Sequence, residues 1–109
     1  MSDRVQRLGL NEALFRDVNE RIKALQRHFT IPPPLDLVCE CANAECTERL
    51  EVPVALYERV RDDGALFVVV RGHEEPDVEH VVESHETFHV IRKDPGEPER
   101  LAEATHPRR

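Results

Sequence analysis

Three cysteines fall within eight residues in the segment Cys39-Glu40-Cys41-Ala42-Asn43-Ala44-Glu45-Cys46. Thiolates are soft donors that suit zinc, which takes four sulfur or nitrogen ligands in a tetrahedron. The three sulfurs can reach one ion if the chain turns between Cys41 and Cys46. Ala42-Asn43-Ala44 is small and contains Asn, as such a turn prefers. Alternate residues of an extended strand share a face, so Cys39 and Cys41 can present both sulfurs to the same side. The spacing is not the repeated C-x2-C of zinc fingers, and two other readings stand beside the metal. The cysteines could pack as small hydrophobes, although Glu40, Glu45, Thr47 and Glu48 make the segment polar. A Cys41–Cys46 disulfide is the third reading, favoured under oxidative stress.

Six histidines compete for the fourth place. His73 is preferred because it follows an apolar strand, in a Gly-containing loop that can present and hold a ligand. His80 and His85 are weaker candidates, His89 falls within a strand, and His28 and His106 lie in the first helix and the tail. The expected ligand set is therefore Cys39, Cys41, Cys46 and His73 around Zn2+. With four protein ligands no position stays open for water, which makes such a site structural.

The elements that must position these residues are legible in the periodicity. Asn11 is a good helix N-cap, and Phe15, Val18, Ile22, Leu25 and Phe29 recur every three or four residues, a helical stripe. Arg16, Asp17, Glu20, Arg21 and Lys23 fall off that stripe and form the surface pairs Glu20–Lys23 and Asp17–Arg21. Pro32, Pro33 and Pro34 end the helix. Leu35-Asp36-Leu37-Val38 and Arg49-Leu50-Glu51-Val52 alternate as paired strands with the cysteines at the turn between them. Pro53 opens a short helix carrying Ala55, Leu56, Tyr57 and Val60, which Asp63-Gly64 ends. Leu66 to Val70 reads as a buried central strand. Val78, Val81 and Val82 fit a short helix or an irregular strand, and Thr87 to Ile91 a final strand.

These elements predict an α+β fold: a long N-terminal amphipathic helix, then a small, mainly antiparallel sheet with a short helix, stapled by a metal site. The expected organisation is a lead-in over 1–10, a helix over 11–30, the zinc-stapled domain over 35–94 and a mobile tail over 95–109. The stripe admits either packing on its own domain or contact with another protein or a second copy.

Composition bounds the function. Charged residues are 34% of the 109-residue chain and aromatics 5%, a thin core for which a metal staple is useful. The net charge of −7 disfavours nucleic acid and anionic membrane as partners. Residues 1–30 nevertheless carry a balance of +2, leaving −9 on the rest. No apolar leader follows the opening MSDRVQR and no run approaches membrane-spanning length, which points to the cytoplasm. Three cysteines, an odd number, in a reducing compartment argue against a disulfide framework.

The run Asn11-Glu12-Ala13-Leu14-Phe15-Arg16-Asp17-Val18-Asn19-Glu20-Arg21-Ile22, with Val38-Cys39-Glu40-Cys41, Cys46 and Gly72-His73-Glu74, resembles small uncharacterised bacterial proteins, mostly actinobacterial. The resemblance spans Asn11 to about Lys93. It implies that the three cysteines and His73 act as one unit in a bacterial cytosolic setting, and it implies no activity.

Two classes of function remain at this stage. One is a zinc-stapled interaction or regulatory module, since no nucleophile–base pair or Gly-rich phosphate loop is present. The other rests on the same cysteines: a thiol redox sensor, or a small zinc hydrolase with Glu74 or Glu40 as base.

Overall fold

Leu35–Val38 (β1) and Arg49–Val52 (β2) pair antiparallel, with Leu35 opposite Val52 and Leu37 opposite Leu50. Those four side chains are buried together while Asp36 and Glu51 face water, as the two-residue alternation requires. A second antiparallel sheet has the order β3-β5-β4, built from Leu66–Val70 (β3), Glu79–Ser84 (β4) and Phe88–Lys93 (β5). The computed structural model describes residues 3–26 and 33–108. It shows an α+β fold with one long helix, Asp3–Leu25 (α1), and two short ones, Val54–Arg61 (α2) and Glu97–Ala104 (α3).

The core joins both sheets to α2 and α3 through Leu35, Leu37, Val52, Tyr57, Val60, Phe67, Val68, Val90, Ile91 and Ala102. β4 is the irregular strand: its register slips between Val81 and Glu83, and Val81 and Val82 stay exposed.

The helices depart from the sequence expectation in three ways. α1 begins at Asp3, so the segment expected as a lead-in is helical; Phe29, His28 and Pro32 lie outside the described residues. The segment expected as a mobile tail carries α3, with Ala102 buried. Its Pro98 sits in the first turn, where a missing N–H costs nothing. Gly9 lets α1 approach α3: a Cβ there would lie 2.4 Å from Leu101 Cδ2.

The third departure concerns the face α1 turns inward, which is polar. Glu12, Ala13, Arg16 and Asn19 are buried, whereas Phe15, Val18 and Ile22 are half-buried and Leu25 is 78% exposed. The apolar stripe thus lies along the helix flank, and the inner face meets specific partners, with Glu12 Oε2 and Arg16 Nε left without a hydrogen bond. Lys93 Nζ donates to Glu12 Oε1 (2.5 Å) and Glu79 Oε1 (2.8 Å), all three side chains inaccessible to water. Arg16 donates to the Gly64 and Ala102 carbonyls and lies over the Phe67 ring. Arg61 lies likewise over Tyr57. The rings face guanidinium nitrogens (Arg16 Nε, Arg61 Nε and Nη1) that have no hydrogen-bond acceptor. The expected helix-surface pairs are replaced by longer-range ones, Lys23 with Glu58, and Glu20 with Tyr57 and Arg108.

Candidate metal centre

The segment leaving β1 crosses to β3. Cys39 N–H donates to the Glu48 carbonyl at 3.0 Å and Glu40 N–H to the Val68 carbonyl at 2.9 Å. This stretch is extended, so Cys39 and Cys41 share one side and Glu40 points to the other. Glu40 is wholly buried and accepts from Arg61 Nη2 (2.6 and 2.8 Å), Asn19 Nδ2 (2.7 Å) and Val68 N–H (3.0 Å). It therefore anchors the cysteine segment to α1, α2 and β3 from behind.

The chain then turns as Ala42-Asn43-Ala44 suggested. Asn43 Oδ1 accepts from Glu45 N–H and the Asn43 carbonyl from Cys46 N–H, each at 3.0 Å, which brings Cys46 back toward Cys41. His73 arrives from the end of β3. Gly72 has φ +90, a left-handed conformation that a side chain would strain, and His73 N–H bonds the Val70 carbonyl to close the turn.

Cys39, Cys41, Cys46 and His73 thereby converge, with one ligand atom from each lying within 4.8 Å of all the others. His73 Nδ1 is 3.6 Å from Cys39 Sγ and 3.7 Å from Cys46 Sγ. Cys39 and Cys41 are buried, Cys46 and His73 half-buried. Four donors of this softness, at this separation, form a set that could hold a metal ion.

Two contacts around the cluster were not legible as site features. Glu48 Oε2 lies 2.7 Å from His73 Nε2. In the tautomer that carries its proton on Nε2 the ring donates to Glu48 and turns a free Nδ1 toward the sulfurs, the arrangement that orients metal-bound histidines. Val70 N–H donates to Cys39 Sγ at 3.2 Å, which stabilises negative charge on that sulfur. Both depend on strand register, and Glu48 is found only once Cys39 is seen opposite it.

The thiols are electrostatically unequal. A hydrogen bond from Cys39 holds Cys41 down to about 5, and the same bond together with burial pushes Cys39 up. Burial raises Cys46. The cluster is thus poised to carry one thiolate readily, and further negative charge on it calls for a cation.

The other candidates lie elsewhere. His80 pairs with Asp94, His85 with Glu83, His89 with Glu74, and His106 Nε2 with the Arg61 carbonyl. Of the carboxylates considered as bases, Glu40 is directed into the core. Glu74 shares a cleft of about 220 Å³ with Cys41 and His73, but its Oε1 bonds Gly72 N–H and His89 Nδ1. No family model, curated protein or solved structure matches the chain. Among the described residues, no helix is long and apolar enough to cross a membrane.

Proposed function

We propose that this chain is a small zinc-stapled interaction module of the cytoplasm, in which Cys39, Cys41, Cys46 and His73 hold one structural Zn2+ and α1 is the contacting element. The observation that carries the metal is the convergence of four soft donors within 4.8 Å. Three thiolates and an imidazole favour zinc over the hard cations, which prefer oxygen. Four protein ligands complete the tetrahedron, so the ion's role is to hold β1, the cysteine turn and the β3 end together. Structural zinc adds an apparent roughly 10–16 kcal/mol to folding of small domains. A chain with so charged an interior draws directly on that. Cys46→Ser is expected to abolish stoichiometric zinc, while His89→Ala leaves it intact; normal zinc content in purified Cys46→Ser protein would refute the ligand set.

A second reading, a thiol redox sensor, is favoured by one observation: of the three cysteines only Cys46 is half-exposed. A hydroperoxide would transfer its terminal oxygen to the Cys46 sulfur, its O–O bond breaking to leave the alcohol. The Cys41 thiolate would then attack the sulfenic sulfur, displacing hydroxide that leaves as water, forming the disulfide and freeing the zinc. Zinc release by mild peroxide that a dithiol reverses would establish it, and retention of zinc would exclude it.

A further inference from the structure

α1 turns its charged face inward and leaves a second face uncovered. Asp3, Arg7, Leu10, Leu14, Asp17 and Arg21 are all exposed, Leu10 by 47% and Leu14 by 59%. Their spacings of four, three, four, three and four place them on one stripe. That stripe lies directly opposite Glu12, Arg16 and Asn19, by which α1 docks on its own body. Among the described residues Asp3, Arg7, Asp17 and Arg21 form no ion pair, although Arg4, Glu20 and Lys23 on the same helix all do.

The stripe is self-complementary. Laid antiparallel on a copy of itself about the level of residue 12, Asp3 meets Arg21 of the second copy, Arg7 meets its Asp17, and Leu10 meets its Leu14. A two-fold axis repeats each contact, so two leucine pairs at the centre are flanked on each side by two opposite-charge pairs. The overlap from Asp3 to Arg21 runs roughly 27 Å at 1.5 Å per residue. A shallow groove of about 450 Å³ along Asp3, Gln6, Arg7, Leu10 and Asn11 is placed to receive Leu14 of the second copy. The stripe is itself neutral, so the contact concentrates no like charge even though each chain carries a net −7.

We propose that α1 is a homodimerisation helix, pairing antiparallel with α1 of a second copy through Arg7–Asp17, Asp3–Arg21 and Leu10–Leu14 contacts. The proposal rests on α1 being the contacting element and is independent of the metal. The two bodies then project on opposite sides of the helix pair, because each docks on the face of α1 opposite the stripe. A single helix pair is a small interface, so a weak, concentration-dependent dimer is expected.

Sedimentation equilibrium of the full zinc-loaded chain tests it with two charge reversals, Arg7→Glu and Asp17→Arg. Each alone places like charges opposite one another at two symmetric positions and is expected to weaken the dimer about tenfold or more. Mixed together, the two variants restore opposite charges at both positions, so a heterodimer of wild-type strength is expected. That rescue cannot come from misfolded protein. A wild-type chain monomeric at several hundred micromolar overturns the proposal. So does a dimer indifferent to both reversals, or one that the mixture fails to restore. Zinc content measured on the same samples separates these failures from failure of the metal site.

Discussion

Replacing Glu40 by Gln removes the anion from the centre of the molecule while keeping its shape. Arg61 is wholly buried and its charge is matched by Glu40 through two contacts of 2.6 and 2.8 Å. Arg16 is a second buried guanidinium close by, lowered to about 10 by burial and by the Arg61 charge. Without Glu40 two cations face each other in the core. Breaking a buried ion pair by removing one partner costs roughly 3–5 kcal/mol. Against a total stability of about 5–15 kcal/mol that is a large share. Urea unfolding at fixed free zinc should therefore show Glu40→Gln less stable by about 3–5 kcal/mol. Adding Arg61→Met removes the stranded charge, and most of the loss should return, since buried pairs are often replaceable by apolar side chains of similar size. A loss below about 1 kcal/mol, or a double variant whose cost equals the sum of the singles, would refute the reasoning.

Three further outcomes follow from the same geometry. Glu48→Gln should keep zinc stoichiometric but weaken it about tenfold in a chelator competition, the lower end for an orienting carboxylate because Glu48 is half-exposed. Burial and the neighbouring Glu79 hold Glu12 well above its ordinary 4.5, so the folded state keeps a proton that the unfolded chain gives up. The stability from that proton is complete below about pH 4.5 and is lost as pH rises through the folded value; Glu12→Gln should flatten this decline in pH-dependent unfolding. Gly72→Ala, at φ +90, should destabilise the protein by about 1 kcal/mol and lower zinc affinity with it, because the strained loop carries His73.

The strands and the gathering of the three sulfurs were legible because each depends on near neighbours. Leu35, Leu37, Leu50 and Val52 alternate with charged residues, and a C-x-C pair followed by an Asn turn brings three sulfurs together. What α1 buries depended on residues far away. Glu12 meets Lys93 and Arg16 meets Gly64 and Ala102, so a face that looks solvated in the sequence is the docked one. The half-buried stripe of Phe15, Val18 and Ile22 was a true helical signal that pointed beside the packed face. α3 is hard to see in the sequence because glycine and proline usually break helices, whereas Gly96 and Pro98 stand where a helix start tolerates them. Glu48 was invisible as a histidine partner because only the β1–β2 register brings it to the cluster.

Metal analysis of protein purified without chelator or affinity-column metal, with native thiol titration on the same sample, decides whether Cys39, Cys41, Cys46 and His73 hold zinc. About one zinc per chain with all three thiols protected is the expected result. No bound metal and three freely reacting thiols would contradict it and leave the cluster as packing or redox groups.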